Sequence, residues 1–360
     1  MSEFVPAWFL PGPHLQTVWG RIVRPRRSVV FRRESLETPD GDELLLDHMV
    51  GGGQAILPVE QHALLPVDGP VERQAGLPAL HFVLLHGLEG SSYSVYMQGV
   101  LGVIARHGYS ATAMNFRSCG RDPNNVRHMI PNRRPRFYHS GETGDFDFVL
   151  RTLAARMPGT RFLAVGASLG GNVLLKWLGE HPDTDRVAAA ATLSVPYDLG
   201  AGADHLDQTA IGRFYVNRFL ITLKRKCERP EIARLLDMPR VRRSRNFREF
   251  DDAATAPLHG FVDANDYYAR SSSIHFIDRI TTPALALNAE DDPFVPPGVL
   301  PRVRANASPR VDVRTTPCGG HVGFIGGSAP WRCEYWAEEL LVRWLLARAN
   351  DQAGAKADAR

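Results

Sequence analysis

The sequence is poor in cysteine, with four in 360 residues, and their spacing fits neither a zinc knuckle nor a redox pair. A chain of this size does not need disulfide staples, so we expect reduced thiols in a cytoplasmic protein. Glu3 and early prolines interrupt the first apolar stretch, which argues against a signal peptide or a spanning helix there. We therefore predict no transmembrane segment, while peripheral contact with a membrane stays open.

The chain also lacks a large excess of either positive or negative charge. The chain has 42 basic and 39 acidic residues, a formal net charge of +3. Nucleic-acid binders gain affinity by neutralising phosphates, so this balance predicts no nucleic-acid partner. Lysine is scarce, with four among the basic residues, and the arginines reflect a GC-rich genome as readily as a need for anion clamps. The sequence does not indicate the oligomeric state.

The composition, 44% hydrophobic and 22% charged, is that of an ordinary folded protein and excludes disordered, collagen-like and coiled-coil chains. Short apolar runs alternate with helical patterns along most of the chain. Strand and helix alternating in this way predict βαβ units, and hence an α/β fold with a mostly parallel central sheet flanked by helices. The predicted strands are 81–86, 110–116, 161–166, 187–195, 283–289 and 310–316, and the predicted helices are 94–106, 142–157, 169–180 and 331–349.

The same patterns divide the chain into segments. Residues 1–27 form an aromatic, proline-punctuated N-terminal arm, and the core comprises 28–200 and 281–350. Residues 51–78 begin with three glycines and lack periodicity, which predicts an exposed, mobile excursion. A long interruption between two apolar strands predicts a helical cap over 201–280. The last ten residues, 351–360, are expected to be a disordered tail.

One pentapeptide carries a catalytic signature. Gly166-Ala167-Ser168-Leu169-Gly170 has the G-x-S-x-G form, with an apolar strand leading in and an amphipathic helix leading out. Small residues on both flanks let the strand and helix approach closely around a nucleophile held in a strained turn. An N-terminal cap in an ordinary turn is the alternative reading of Ser168.

A serine hydroxyl becomes nucleophilic when an imidazole accepts its proton. His321 follows the last predicted strand, and no other histidine follows His275. The imidazole in turn needs a carboxylate after the penultimate strand, where Glu290, Asp291 and Asp292 are all candidates. Asp198, after the preceding strand, is a further alternative.

Acyl transfer also needs two backbone N–H groups aimed at the developing oxyanion. One comes from the residue after the nucleophile, Leu169. The second is predicted at Leu88, in the Gly-rich stretch 86–92 that follows an apolar strand. A plain strand-to-helix turn is the alternative reading of that stretch.

Taken together, these motifs resemble the YheT-like branch of the α/β-hydrolases, relatives of ABHD-type acylglycerol lipases and esterases. The resemblance spans nearly the whole chain and rests on 11–17, 86–92, 115–117, 138–143, 166–172, 288–294 and 319–324. Hydrolases of this fold typically place the acid two residues before a Val-Pro or similar turn, which favours Asp292 over Asp291. Two stretches depart from the family: the excursion at 51–78 is longer, and 117–120 reads Arg-Ser-Cys-Gly.

The resemblance implies a serine esterase that cleaves short- or medium-chain acyl esters or acylglycerols through Ser168, His321 and Asp292. An acyltransferase, thioesterase or perhydrolase would use the same triad, and a non-enzymatic scaffold is a third class. No His, Cys, Asp or Glu cluster has metal-ligand spacing and no nucleotide-binding glycine pattern follows a strand, so we predict no metal and no cofactor. The cap residues Phe214, Phe219 and Ile221 are predicted to line the acyl pocket, and packing of the cap onto the core is the alternative role for them.

Overall fold

The computed structural model describes residues 3–24, 29–50 and 79–357, with side chains to residue 351. The excursion predicted at 51–78 lies outside the described residues. The strands are β1 (Phe31–Glu37), β2 (Glu43–Met49), β3 (Leu80–Leu85), β4 (Ser110–Asn115), β5 (Arg121–Asp122), β6 (Asn125–Met129), β7 (Arg161–Ala167), β8 (Val187–Leu193), β9 (Ala284–Ala289), β10 (Val311–Thr316), β11 (Ile325–Ala329) and β12 (Arg332–Tyr335).

The helices of the core begin with α1 (Pro13–Val23) in the N-terminal arm. The remaining core helices are α2 (Val95–Arg106), α3 (Thr143–Arg156), α4 (Leu169–Glu180), α12 (Val299–Asn306) and α13 (Trp336–Ala357). Between β8 and β9 lie α5 (Leu199–Gln208), α6 (Ala210–Cys227), α7 (Pro230–Ala233), α8 (Met238–Arg243), α9 (Phe247–Phe250), α10 (Ala256–His259) and α11 (Ala264–Ser271).

Eight strands form one sheet in the order β1-β2-β4-β3-β7-β8-β9-β10, with β2 antiparallel to both of its neighbours. From β4 to β10 all pairings are parallel. The predicted mostly parallel α/β sheet is therefore confirmed. Its parallel strands all point their carboxyl ends to one edge, which is where open α/β sheets bind ligands.

The sheet is buried on both faces, which explains why its central strands are apolar throughout. In β7, Phe162 and Ala164 pack into the cluster that contains α3 and α4. The alternate residues Leu163 and Val165 pack into the cluster that contains α2 and α13. Successive side chains of a strand point to opposite faces, so both helical layers obtain an apolar partner from one run.

The segment between β8 and β9 is helical and has an apolar cluster of its own. Val216, Leu220 and Leu223 of α6 pack there against Phe250 and other cap residues. These positions follow the i, i+4 and i+7 spacing of one helix face. The cap is thus held together by its own core, beside the sheet edge that carries the candidate site.

Two predicted boundaries at the C-terminus are wrong. The helix expected from Trp331 begins at Trp336, because Ile325–Ala329 and Arg332–Tyr335 pair as an antiparallel hairpin, with Ile325 opposite Tyr335. At its far end α13 continues to Ala357 rather than ending near Ala349. Trp331 and Tyr335 have the i, i+4 spacing of a helix, and the strand pairing overrides that local pattern.

A buried arginine ties the β1–β2 hairpin to the core. Arg117 donates to Asp145 at 2.8 and 2.6 Å, to Asp42 at 2.7 Å and to Asp40 at 3.0 Å. Burial acts to lower the pKa of Arg117, but hydrogen bonds and charge from Asp145 and Asp42 raise it above its ordinary value. The guanidinium is therefore charged and donates four hydrogen bonds to three carboxylates.

We expect Arg117→Met to lower the free energy of unfolding by about 3–5 kcal/mol, because it leaves buried carboxylates without their cation. Urea unfolding followed by circular dichroism measures this loss. Arg133→Met is the control, since that side chain is 53% exposed and should contribute less than about 0.5 kcal/mol. Equal losses in the two variants would contradict the assigned role of Arg117.

Candidate active site

Ser168 lies in the turn between β7 and α4, at the carboxyl edge of the sheet. Its φ is 52°, a strained value for a residue other than glycine. The flanking glycines make the turn sterically feasible: a Cβ on Gly166 would lie 2.5 Å from the carbonyl oxygen of Gly170, and one on Gly170 would lie 2.5 Å from that of His86. Strand, helix and the neighbouring loop therefore meet closely around the serine.

The structure brings together the three side chains predicted for the triad. His321 Nε2 lies 2.9 Å from Ser168 Oγ, and His321 Nδ1 lies 2.9 and 3.1 Å from the two carboxylate oxygens of Asp292. The Asp292 side chain is fully buried. One of its oxygens also accepts a hydrogen bond from the N–H of Phe294 at 2.9 Å, which fixes the carboxylate in place.

The two alternative acids lie elsewhere. Asp291 accepts a hydrogen bond from the N–H of Gly320 at 2.9 Å, so it supports the loop that carries His321 without contacting the imidazole. Burial, together with the charge of Asp292, raises the pKa of Asp291 despite the backbone N–H groups that lower it. Asp198 caps α5 through the N–H of Ala201 and pairs with Arg302 at 2.9 Å.

The loop after β3 passes directly over Ser168. A Cβ on Gly87 would lie 3.0 Å from the Cβ of Ser168. His86 fixes this loop: its Nε2 accepts from the N–H of Phe116 at 3.1 Å and its Nδ1–H donates to the carbonyl of Gly87 at 2.8 Å. Burial lowers the pKa of His86 to about 4, so the ring is neutral and serves as a scaffold at pH 7.

Leu88 and Leu169 are the two residues predicted to supply oxyanion N–H groups. Leu169 is the first residue of α4, where backbone N–H groups have no partner inside the helix. Within the described ranges neither of these N–H groups has a protein hydrogen-bond partner. Both are therefore available to a ligand beside Ser168.

The N-terminal arm takes part in the site, which the sequence reading missed. Gln16 accepts from the N–H of Ile325 at 2.7 Å and donates to the carbonyl of the same residue at 3.0 Å. The hydroxyl of Thr17 accepts from the N–H of His321 at 2.9 Å and donates to the carbonyl of Pro13 at 2.7 Å. Helix α1 thus clamps both sides of the loop that carries His321. Both residues lie in the stretch 11–17, which carries part of the family resemblance, and that match is the available sequence signal for their role.

We expect Gln16→Ala to lower kcat for ester hydrolysis on the order of tenfold, because loosening the loop misplaces the imidazole, and catalysis is sensitive to shifts of about 1 Å. KM should change little. The exposed neighbour Leu15→Ala is the matched control on the same helix. An unchanged kcat in Gln16→Ala would show that the loop keeps its position without the arm.

A cavity of about 520 Å³ opens beside Ser168 and His321. The cap contributes an apolar wall to it, formed by Leu206, Tyr215, Phe219, Leu223, Phe247 and Phe250. Of the three cap residues predicted to line the pocket, only Phe219 does so. Phe214 and Ile221 are 61% and 52% exposed, because the side of α6 that faces the cavity carries Tyr215, Phe219 and Leu223 at i, i+4 and i+8.

One cluster in the described part of the chain has the composition of a metal site: His139, Glu142 and His259. Burial lowers the pKa of the two histidines to about 3 and about 2. The N–H of Gly141 donates to His139 Nδ1 at 3.1 Å, so the ring proton sits on Nε2, 3.6 Å from the carboxylate of Glu142. Arg136 also pairs with Glu142. The lone pair of His139 Nδ1 is therefore committed to a backbone hydrogen bond, whereas His259 Nε2 is buried without a hydrogen-bond partner in the described structure.

A family model described as the alpha/beta hydrolase fold matches residues 81–328. The Escherichia coli protein YheT, named as an esterase, is 34% identical over 348 residues, which cover 96% of this chain and 93% of that protein. A monoacylglycerol lipase of Saccharomyces cerevisiae is 29% identical over 364 residues, covering 92% and 78%.

Among solved structures, the Pyrococcus furiosus esterase Pf2001 superposes with a TM-score of 0.54 at 15% sequence identity, over 89% of this chain and 91% of that one. At this identity the match speaks for the fold alone. Among the described helices, none combines the length and the apolar character needed to cross a bilayer.

Proposed function

Because this chain belongs to the α/β-hydrolase family, in its YheT-like branch of esterases and lipases, we propose that it hydrolyses carboxylic esters through an acyl-enzyme on Ser168. The observation that carries the proposal is the hydrogen-bonded line from Ser168 through His321 to Asp292, which opens onto the cavity. The reaction needs no group beyond the side chains, backbone N–H groups and water.

In the first half of the reaction, Ser168 Oγ attacks the ester carbonyl while its proton passes to His321 Nε2. The carbonyl oxygen becomes an oxyanion and accepts hydrogen bonds from the N–H groups of Leu88 and Leu169. Asp292 stabilises the imidazolium and holds the tautomer in which Nδ1 carries a proton. The imidazolium then gives its Nε2 proton to the leaving alcohol as the carbon–oxygen bond breaks, and the acyl-enzyme remains.

In the second half, water replaces the alcohol. The water oxygen attacks the acyl carbon while His321 accepts a proton from that water. The N–H groups of Leu88 and Leu169 then stabilise the second oxyanion. Collapse of this intermediate returns the proton to Ser168 Oγ and releases the carboxylic acid. Replacing water by another acceptor at this step gives an acyltransferase or perhydrolase, and a thioester in the first half gives a thioesterase.

The cavity favours acyl esters with an apolar chain. Aromatic and aliphatic side chains from α5, α6 and α9 form one wall, and about 520 Å³ accommodates a short or medium acyl chain with its alcohol. The yeast relative is named a monoacylglycerol lipase, and acylglycerols are therefore included in the proposed substrate class. A cytoplasmic location stays a prediction.

The proposal is tested with a fluorophosphonate probe and a panel of p-nitrophenyl esters from acetate to decanoate. We expect one labelled serine, Ser168, located by mass spectrometry of the digested protein, and hydrolysis that releases the free acid. Product analysis in the presence of added alcohol or thioester separates hydrolysis from the acyl-transfer alternatives. A protein that neither reacts with the probe nor turns over any ester would be the non-enzymatic scaffold.

Phe219→Ala is expected to shift the ratio of kcat/KM towards longer acyl esters, on the order of tenfold, because one methylene in an apolar pocket is worth about 1–3 kcal/mol. Removing the ring widens the wall for long chains and removes contacts from short ones. Phe214→Ala, on the exposed side of the same helix, is the matched control. If both variants leave the ratio unchanged, α6 does not form the acyl-binding wall.

A further inference from the structure

A buried ion pair joins the cap to the loop that passes over Ser168. Lys226, near the end of α6, donates from Nζ to Glu89 Oε1. Their side chains are only 4% and 7% exposed. Glu89 directly follows Leu88, whose N–H is assigned to the oxyanion. The cap therefore reaches the oxyanion loop through one charged contact inside the protein.

Further groups complete this contact. The hydroxyl of Tyr138 accepts from the N–H of Glu89 at 2.6 Å and donates to Glu89 Oε1 at 3.0 Å. Lys226 Nζ lies 4.9 Å from the centre of the Tyr138 ring and 3.3 Å from Cys119 Sγ. Burial works against the charged ammonium, but Cys119 and Glu89 raise the pKa of Lys226 above its ordinary value. Lys226 is thus a cation surrounded by partners from the core.

The backbone at Glu89 explains why the loop needs such support. Its φ is 55°, in the left-handed region that disfavours residues with a side chain. A strained residue keeps its conformation only when its surroundings fix it. Here the surroundings act on both parts of the residue, since Tyr138 holds the backbone N–H and Lys226 holds the carboxylate. These contacts fix the peptide that joins Leu88 to Glu89, and so anchor Leu88, whose own N–H lies one peptide earlier in the same loop.

A contribution to stability alone does not explain the Lys226–Glu89 ion pair as well as a role in positioning the loop. Burying two charges costs desolvation energy that their attraction often fails to recover, and an apolar pair of similar volume is commonly as stable. One carboxylate oxygen, Glu89 Oε2, is moreover buried with no hydrogen-bond partner in the described structure. An arrangement that costs stability at the edge of the active site points to positioning as its purpose.

We propose that Lys226 is a positioning residue that, through Glu89, aims the Leu88 N–H at the oxyanion, so that the oxyanion hole is complete only when the cap is seated. The inference rests on the proposed function. Lys226 itself touches no reacting atom. It acts on the transition state alone, because the ester carbonyl needs the donor most when its oxygen becomes an anion.

The test compares Lys226→Met with Lys224→Met, two lysines on the same helix. Lys224 donates to the carbonyls of Arg242 and Ser244 inside the cap and does not contact the loop. We expect Lys226→Met to lower kcat for p-nitrophenyl butyrate on the order of 100-fold, the effect of losing one oxyanion donor, with KM changed less than about threefold. Lys224→Met should keep the kcat of the parent protein.

An alkyl trifluoromethyl ketone provides a second readout, because it forms a tetrahedral oxyanion on the serine. Its inhibition constant should rise in Lys226→Met in parallel with the loss of kcat/KM. Binding of the corresponding methyl ketone, which mimics the ground state, should stay as it is. Lys226→Met with unchanged kcat, or with both ketones weakened equally, would overturn the proposal and leave Lys226 as a structural clamp.

The double variant Lys226→Met/Glu89→Gln covers the case in which the single change fails to fold, because it leaves no uncompensated buried charge. We expect its kcat to be no lower than that of either single variant, since all three lose the same positioning contact. Additive losses would contradict a shared role. Ser168→Ala tests the proposed function independently of the positioning role of Lys226. If that variant keeps its activity, the proposed acyl-enzyme on Ser168 is wrong, whatever the lysine variants do.

Discussion

Ester hydrolysis is expected to fall by about 10⁴- to 10⁶-fold in kcat when Ser168 is replaced by alanine, because the nucleophile of the acyl-enzyme is removed while the cavity and the oxyanion donors remain. The measurement is turnover of p-nitrophenyl butyrate by purified protein at equal folded concentration. Residual activity above the uncatalysed rate is expected, since binding and the oxyanion donors alone accelerate attack by water.

Two further measurements on Ser168→Ala, its thermal stability and its reaction with a fluorophosphonate, check that only the nucleophile has been lost. Ser168 Oγ contacts His321 and is not needed to hold the turn, whose backbone N–H donates to the carbonyl of Leu193 at 2.8 Å. The unfolding midpoint of Ser168→Ala should therefore stay close to that of the parent protein, while fluorophosphonate labelling disappears. Labelling of another serine in the parent protein, or retained turnover in the variant, would refute the assignment of the nucleophile.

The sheet and its principal helices could be predicted because their signals are local. An apolar run such as β3 or β7, bounded by turn residues, implies a strand buried on both faces, and the amphipathic run of α4 implies a helix that covers it. The family model confirms the fold that these alternating elements suggested. The strand-to-helix turn at Ser168 could be predicted for the same reason, since two glycines and an apolar strand mark it within a few residues.

The contacts that the sequence did not reveal join residues far apart in the chain. Gln16 meets Ile325, and Glu89 meets Lys226, without any periodicity that would announce the pairing. The lining of the cavity depends on how α6 is rotated about its own axis. Phe214 and Phe219 are the same residue type, and only the packing of the helix decides that Phe219 faces the cavity. Local patterns fix which elements form, whereas distant partners decide how those elements are oriented.

Replacing the acid should separate two neighbouring carboxylates. We expect Asp292→Asn to lower kcat by roughly 10⁴-fold, because an amide at that position favours the wrong tautomer of His321 and does not stabilise the imidazolium. In the parent protein, both carboxylate oxygens of Asp292 lie within 3.1 Å of His321 Nδ1. Steady-state kinetics at several pH values measure the loss in kcat, and thermal unfolding checks that the variant is folded.

Asp291→Asn is the matched control, one residue earlier in the same loop. Asp291 accepts a backbone N–H from Gly320 at 2.9 Å, and the carbonyl oxygen of asparagine accepts the same bond. Its charge is not needed for that bond, and burial already raises its pKa. The loop should therefore keep its position, with kcat reduced less than about tenfold. A larger loss in Asp291→Asn than in Asp292→Asn would move the acid to Asp291, and a dominant loss in Asp198→Asn would move it to the end of β8, with Ser168 and His321 retaining their roles.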